Sequence, residues 1–169
     1  MRKIMFIFLI LSTLVVVSCR RGANGYVGDF SYKLSGEVEI INSDGTSEFH
    51  LIHKNGQLNI YKERGKNELL LTFNEMNGPC YTVVADFAND SIALRPYTFS
   101  TNILSSSGIP LPNSGNEISL VYTVMSRGGK GVLKGEELLL IDEFWDGHLS
   151  GDSSTTINGA SIKTTAERN

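Results

Sequence analysis

The sequence has few of the residues that build covalent or metal-bound scaffolds. Its 169 residues include two cysteines, three histidines, one tryptophan and four prolines. This cysteine count excludes a disulfide framework, and no Cys–His spacing typical of a zinc site occurs. The formal charge is −3, with no long basic run. We therefore expect no nucleic-acid partner, because neutralising phosphates requires a clustered basic face. We also expect no metal or other cofactor.

Catalytic motifs are missing as well. No Gly-x-Ser-x-Gly elbow occurs. Residues 127–131 contain glycine and lysine without the spacing of a phosphate loop, so they predict a hairpin turn. His50 and His53 are three positions apart on a predicted strand and therefore point to opposite faces. We expect these two histidines and His148 to be solvated or to cap strand ends, and we expect no enzyme.

One acidic segment is a candidate active site. Its carboxylates are Glu136, Glu137, Asp142, Glu143 and Asp146. Glu143 and Trp145 would share one strand face, which places an acid beside a stacking platform suited to a sugar. A glycosidase needs two carboxyls about 5 to 10 Å apart. Acids around a turn and a strand end are usually solvated, and we favour that interpretation over catalysis.

The N-terminal segment is the most informative part of the sequence. Arg2 and Lys3 precede an apolar stretch, residues 4–17, interrupted only by Ser12 and Thr13. Its length of about 14 residues is below the roughly 20 that span a bilayer as a helix. The pattern therefore predicts a cleaved signal peptide over residues 1–18.

The end of this segment, Val16-Val17-Ser18-Cys19, resembles the lipobox of bacterial lipoproteins. The resemblance implies that Cys19 receives a diacylglyceryl thioether and that its new amine is acylated with chains such as palmitate. Stable anchoring generally takes two lipid signals, which this modification would supply. The alternative is an ordinary secretory signal that contains a cysteine.

The residues after Cys19 indicate to which membrane the protein is sorted. Arg20 stands where Asp would imply retention at the inner membrane, so the resemblance implies the outer membrane. Residues 20–24 contain no acid, and an acidic run there accompanies export to the cell surface in some bacterial groups. We therefore favour the periplasmic leaflet over the surface.

Removal of the signal leaves about 151 residues, which suits one domain. We predict a lipidated cysteine and a flexible tether over residues 19–27 and a β-barrel domain over 28–169. If Cys19 is lipidated, Cys80 has no disulfide partner. We expect Cys80 to be a buried small hydrophobe, with a free thiol or an intermolecular bridge as alternatives.

The mature chain shows the period-two alternation of β-strands. Apolar and polar residues alternate from Asp29 to Ile40, and Gly36 interrupts the apolar side, which predicts a bulge or bend. Further strands are predicted over 46–53, 58–62, 68–73, 80–87, 91–98, 118–125, 132–134, 137–145, 155–157 and 161–166. Turns are predicted at 42–45, 55–56, 77–79, 88–90, 127–131 and 158–159, and the longest loop at 100–116.

No segment shows sustained helical spacing, so the fold class is all-β. Eight to ten short strands joined by tight turns favour a single antiparallel up-and-down barrel, with a β-sandwich as the alternative. The opening Gly28-Asp29-Phe30 is similar to the start of the first strand in lipocalins. The chain thus resembles small Gram-negative lipoproteins with lipocalin-like barrels, although it lacks the tryptophan that follows in lipocalins.

Nine aromatic side chains are candidates to line the barrel interior: Phe30, Tyr32, Phe49, Phe73, Tyr81, Phe87, Tyr122, Phe144 and Trp145. A barrel of about eight strands either fills its interior with side chains or encloses one small ligand, and we favour the filled interior. We predict a non-catalytic, lipid-anchored envelope module that binds a protein or small molecule, with loop 100–116 as its contact region. The alternatives are a carrier of a small apolar ligand and an inhibitor of an envelope hydrolase.

Overall fold

The computed structural model describes residues 22–63, 66–103 and 120–169. The predicted signal peptide, Cys19 and most of the predicted loop 100–116 lie outside these ranges. The described elements are a short 3₁₀ helix (Ala23–Tyr26) and the strands β1 (Gly28–Ile41), β2 (Ser47–Lys62), β3 (Glu68–Glu75), β4 (Cys80–Ala88), β5 (Ser91–Leu94), β6 (Tyr97–Ile103), β7 (Leu120–Lys134), β8 (Leu138–Leu149) and β9 (Asp152–Arg168). Within these residues, no helix is long and apolar enough to cross a membrane.

The strands form one antiparallel sheet that closes into a barrel. Their order is β5-β4-β3-β2-β1-β9-β8-β7-β6, and β5 also pairs with β7. Strand β5 pairs with residues 129–132 of β7, and β6 pairs with residues 120–126. Strands β5 and β6 therefore share one position in the barrel wall, broken at Arg95-Pro96, and the ring has eight positions. The predicted all-β, up-and-down barrel is confirmed.

Strand β1 contributes to both the barrel wall and the core, because its side chains alternate between the inner and outer faces. Its apolar residues face inward and are buried, whereas most residues between them are exposed. At Gly36 a Cβ atom would lie only 2.8 Å from the carbonyl oxygen of Ser161. The pairing of β1 with β9 shifts just beyond this glycine, between Glu37 and Glu39. The bulge predicted at Gly36 is thus confirmed within one or two residues.

Side chains fill the middle of the barrel. Eleven inward-facing apolar residues have no accessible surface: Phe30, Val38, Leu58, Leu69, Leu71, Ala85, Ile92, Val124, Leu139, Ile162 and Ala166. These side chains belong to one cluster of buried residues. The favoured filled interior is therefore confirmed for this part of the barrel, which is packed as protein cores usually are.

Three predicted turns are wrong, because glycine-containing segments lie inside long strands. Residues 55–56 are in β2, 127–131 in β7 and 158–159 in β9. Gly56 serves close packing instead, since a Cβ there would overlap Asn74 of β3 and Tyr32 of β1. Gly128 and Gly159 have φ values of +94° and +47°. Gly128 lies beside a register shift in the β7–β8 ladder, and Gly159 lies beside one in the β8–β9 ladder. These glycines permit bends within strands rather than chain reversals.

The segment before β1 differs from the predicted tether. Ala23–Tyr26 form the 3₁₀ helix, and both end residues are buried. The hydroxyl of Tyr26 donates to the carbonyl of Asp90 at 2.7 Å and accepts from the backbone N–H of Leu133 at 3.2 Å. Residues 22–27 therefore close one end of the barrel and are not a flexible tether; burial of the Tyr26 ring outweighs the polar, glycine-rich composition.

Candidate functional site

The described strands leave a gap in the barrel wall at the end opposite to the 3₁₀ helix. The ladder between β2 and β3 begins at Gly56, and among the described strands only β1 pairs with residues 47–55. The carbonyl of Asn55 also accepts from the backbone N–H of Met76 at 2.8 Å. On the other side, the one described strand that pairs with β6 is β7. Among the described residues, no strand joins these two edges. We call this opening the notch, bounded by β2 residues 47–55, the β3–β4 turn (residues 76–79) and β6.

A pocket of about 430 Å³ lies in the notch. It reaches from β2 past the β3–β4 turn to the end of β6. Its apolar lining residues are Leu51, Ile52, Met76 and Ile103, and its polar ones are His53, Lys54, Asn55, Glu75, Asn77 and Asn102. This mixture suits a partner with both apolar and polar groups.

An ion pair forms the base of the pocket. The Nζ atom of Lys54 lies 2.5 Å from Oε1 of Glu75, with 17% and 8% of the two side chains exposed. The buried hydroxyl of Thr101 on β6 donates to the other carboxylate oxygen, Oε2, at 3.4 Å. Glu75 thus links β2 to β6 through side chains, at a place where no ladder of the described strands connects the two.

Stacked aromatic rings close the wall below the notch, between β4 and β6. Tyr81 of β4 stacks on Phe99 of β6 at a centroid distance of 4.3 Å and on Phe73 of β3 at 5.1 Å. Burial, reinforced by the charge of Glu143, raises the pKa of Tyr81 well above its ordinary value. This phenol therefore stays neutral, and the aromatic stack fixes the lower limit of the opening.

The rim of the notch is strongly apolar. Phe49, Leu51 and Met76 are 64%, 65% and 61% exposed, more than any other large hydrophobic residue described. The prediction that Phe49 lines the interior is wrong, because its position in β2 points outward, as does that of Phe144 in β8. The other seven predicted interior aromatics are buried or packed partly buried against the core.

Glu143 occupies a second polar site, enclosed in the barrel wall. Its Oε2 atom accepts hydrogen bonds from the Tyr97 hydroxyl at 2.5 Å, the Ser126 hydroxyl at 3.0 Å and the Trp145 indole at 3.4 Å. Burial raises the pKa of Glu143, and these three donors oppose the shift. The prediction that Glu143 and Trp145 share one strand face is confirmed. The prediction that Glu143 is solvated is wrong.

The remaining acids of that segment are not gathered around Glu143. Glu136, Glu137 and Asp142 are exposed, and Asp146 pairs with Arg127. The three donors to Glu143 are two hydroxyls and an indole, so no second carboxylate shares these bonds. The arrangement resembles a buried structural network more closely than the open carboxylate pair of a glycosidase.

The histidines and Cys80 complete the predicted candidates. His50 is buried, with Nε2 3.3 Å from Glu48, so its predicted solvation is wrong, whereas His53 is exposed on the opposite face as predicted. Cys80 is exposed at the start of β4 rather than buried. Across the described ranges, no group of three or more His, Cys, Asp or Glu side chains could hold a metal ion.

The notch was missed by the sequence analysis. Its ion pair joins residues 21 positions apart, and the predicted turn at residues 55–56 concealed the full length of β2. Pro96 was the usable signal, because proline marks an edge or bend in a strand. That bend separates β5 from β6.

Comparisons with known proteins add a similarity of fold only. No family model matches the chain, and no curated protein matches its sequence. Among solved structures, the chain is similar to a redesigned β-barrel, with 14% sequence identity and a TM-score of 0.40. The similarity covers 90% of this chain and 97% of that one, and it carries no argument about function.

Proposed function

We propose that this protein is a lipid-anchored binding module of the bacterial cell envelope, without catalytic activity, that holds its partner in the notch. The observation that carries the proposal is the gap that the described strands leave between β2 and β6. There an apolar rim surrounds a pocket with a buried ion pair at its base. Binding sites are typically concave and mostly apolar, with a few fixed polar groups.

The position of the notch suits anchoring through Cys19. Three peptide steps separate Cys19 from Gly22, which limits the distance between them to roughly 10 Å. The barrel end that carries the 3₁₀ helix would therefore lie nearest the membrane, with the notch at the far end. We propose the outer membrane, periplasmic leaflet, because Arg20 follows Cys19 and no acidic run occurs there.

The packed interior favours binding at the notch over transport inside the barrel. A lipocalin-like carrier would need an internal apolar cavity, and the eleven side chains without accessible surface occupy that volume. Inhibition of an envelope hydrolase is one form that protein binding could take. The highly exposed Phe49, Leu51 and Met76 favour a protein partner, because such patches mark interaction sites.

Membrane fractionation tests the anchor. We expect Cys19→Ala to release the protein from membranes and to abolish labelling by acyl-chain precursors. Cys80→Ser is the matched control, because it removes the other thiol and should leave fractionation unchanged. Retention of Cys19→Ala in the membrane fraction would refute lipid anchoring.

Site-specific crosslinking in intact cells tests the binding site. A photoreactive amino acid is placed at Met76, on the rim, or at Met125, which is 45% exposed on β7 and lies away from the notch. We expect a discrete adduct of higher mass from position 76 and none from position 125. Equal adducts from both positions, or none from position 76, would contradict the proposed site.

A further inference from the structure

We infer that a second copy of this chain binds to the outer face of strands β2, β1 and β9, with the two copies related by a twofold axis that crosses these strands at Gly36. The inference goes beyond the proposed function, because it concerns the outside of the barrel wall and not the notch. The contact uses exposed side chains and needs no free backbone group at a strand edge.

The register of the three strands defines the axis. Gly36 of β1 lies opposite Ile52 of β2 and Ile162 of β9. Because side chains alternate, the residues directly before and after these three point outward and are exposed. When two copies stack face to face about an axis along this row, residues at equal distances above and below the row are exchanged. The same patch of both copies then meets itself, as in any twofold interface.

Charges of opposite sign lie on the two sides of this row. Lys33 and Lys163 are on one side, and Glu37 and Glu39 are on the other. Within the part of the chain that the structure describes, neither lysine forms an ion pair, and neither does either glutamate. The axis places Glu39 of each copy over Lys33 of the other. It also places Glu37 of each copy beside Lys163 of the other, so the face is complementary to itself.

An exposed aromatic ring and an outer pocket are related by the same axis. Phe49 and Asn55 lie equally far before and after Ile52 in β2, and Phe49 is 64% exposed. Asn55 borders a pocket of about 300 Å³, which Gln57 of β2 and Thr165 of β9 also line. The axis places Phe49 of each copy over Asn55 of the other, at this pocket. Two independent features, the charges and the ring with its pocket, therefore agree on one arrangement.

The area of this face determines how strong the dimer should be. Residues 33–39 of β1 and their ladder partners span roughly 23 Å along the strands and roughly 14 Å across them. The resulting footprint of roughly 300 Å² is below the about 800 Å² that a standard interface buries on each partner. We therefore expect a weak dimer with a micromolar dissociation constant. The proposed lipid anchor would favour it, because confinement to a membrane raises the effective concentration.

A charge swap tests the arrangement on the purified full-length protein, with detergent micelles in excess. Sedimentation velocity over a concentration series should show a monomer–dimer equilibrium that salt weakens. Glu39→Lys and Lys33→Glu should each weaken the dimer about tenfold, since each creates two like-charged pairs across the axis. The double variant should restore dimerisation. Lys33 and Glu39 lie roughly 20 Å apart within one copy, beyond the Debye length of roughly 8–10 Å, so restoration can act only between copies.

Phe49→Ala tests the contact between the ring and the pocket. We expect dimerisation about tenfold weaker in this variant, because Phe49 is the largest apolar side chain that the axis places on the other copy. Tyr61→Ala is the matched control. Tyr61 is a 55% exposed aromatic residue on the same strand, near the end of β2 and away from the axis. Its replacement should leave the dissociation constant unchanged.

Three results would overturn the inference. A chain that stays monomeric at every concentration removes the dimer, and a double variant as weak as the single ones removes the pairing of Glu39 with Lys33. Equal weakening by Phe49→Ala and Tyr61→Ala removes the position of the axis. Met76 borders both this pocket and the one in the notch, so a crosslinked adduct from position 76 is identified by its mass. Twice the mass of the chain indicates the dimer. An adduct of another mass from a monomeric chain leaves the proposed function standing and the dimer refuted.

Discussion

Lys54 and Glu75 form an ion pair across the base of the notch, with Nζ 2.5 Å from Oε1 and only 8% of the glutamate side chain exposed. The pair joins β2 to the last residue of β3. The pair lies at the end of the β2–β3 ladder, so the geometry of the opening depends on electrostatic interactions between side chains.

Removal of the lysine should therefore destabilise the fold. In Lys54→Met the Glu75 carboxylate loses its cation while remaining largely shielded from water. We expect the free energy of unfolding to fall by about 2–4 kcal/mol, in keeping with other buried pairs that lose one partner. Urea unfolding followed by circular dichroism measures this loss.

Lys66→Met provides the control for the ion pair. Lys66 pairs with Glu63 at 3.0 Å, but its side chain is 54% exposed, and exposed pairs contribute little to stability. We expect a much smaller loss than in Lys54→Met. Equal losses in the two variants would show that the buried pair has no special role.

The buried Glu143 should make stability depend on pH. Burial raises its folded-state pKa, so the folded protein holds this proton more tightly than the unfolded chain does. The contribution of Glu143 to stability should then be largest below the ordinary pKa range of glutamate and should decline as pH rises through that range to the raised pKa. Glu143→Gln should remove this part of the decline in melting temperature.

Tyr97→Phe should have the opposite effect on the pH profile. The Tyr97 hydroxyl donates to Glu143 and lowers the pKa of the carboxyl. Loss of the donor should raise that pKa further and enlarge the decline in stability towards neutral pH. Parallel melting-temperature profiles for Glu143→Gln, Tyr97→Phe and the unaltered protein would contradict the assignment.

Gly56 should not tolerate a side chain. A Cβ atom there would overlap the carbonyl oxygen of Asn74 and lie 2.9 Å from the Tyr32 ring. We expect Gly56→Ala to lower the free energy of unfolding by about 1–3 kcal/mol, as overpacking typically does. Gly22→Ala is the control, with φ at −69° and no atom within 4 Å of its Cβ; chemical denaturation should show no loss.

Arg168 should hold the 3₁₀ helix against the barrel. Its guanidinium donates to the carbonyls of Gly25 and Val27 at 2.7 and 2.8 Å and lies over the Phe30 ring. Lysine cannot reproduce this planar set of donors. We expect Arg168→Lys to cost about 1–2 kcal/mol and to speed hydrogen exchange at Val27.

Arg127→Lys is the comparison for Arg168→Lys. Arg127 pairs with Asp146 but is 69% exposed, so its replacement should change stability less and leave exchange at Val27 unaltered. Exchange at Val27 that is equally fast in both variants would argue against the role of Arg168.

The barrel could be predicted from the sequence because alternation of apolar and polar residues is a local pattern within each strand. Alternation in β1 shows which residues face inward, and the same parity places Glu143 beside Trp145. The turns at 55–56 and 158–159 could not be decided in this way. A polar residue followed by glycine suits a tight turn, but it also suits a long barrel strand at a bend or close approach.

The site could not be predicted because it depends on closure of the ring. Tyr97 reaches Glu143 across 46 positions, and the notch exists because β2 has 16 residues where β3 has 8. Neither relation leaves a periodic pattern. Both follow from which edges meet when β5 pairs with β7.

The pairing of β1 with β9 makes closure of the barrel depend on the arrival of β9. It joins opposite ends of the sequence, and Arg168 bonds to Val27 across 141 positions. Such distant contacts form slowly, because the entropy of closing a long loop precedes any gain from pairing. A chain that emerges gradually, from a ribosome or a translocation channel, therefore carries β1 with β2 as its one neighbour until β9 is free. Anything that shields the open edge of β1 in the interval would act on the yield of folded protein rather than on its final stability.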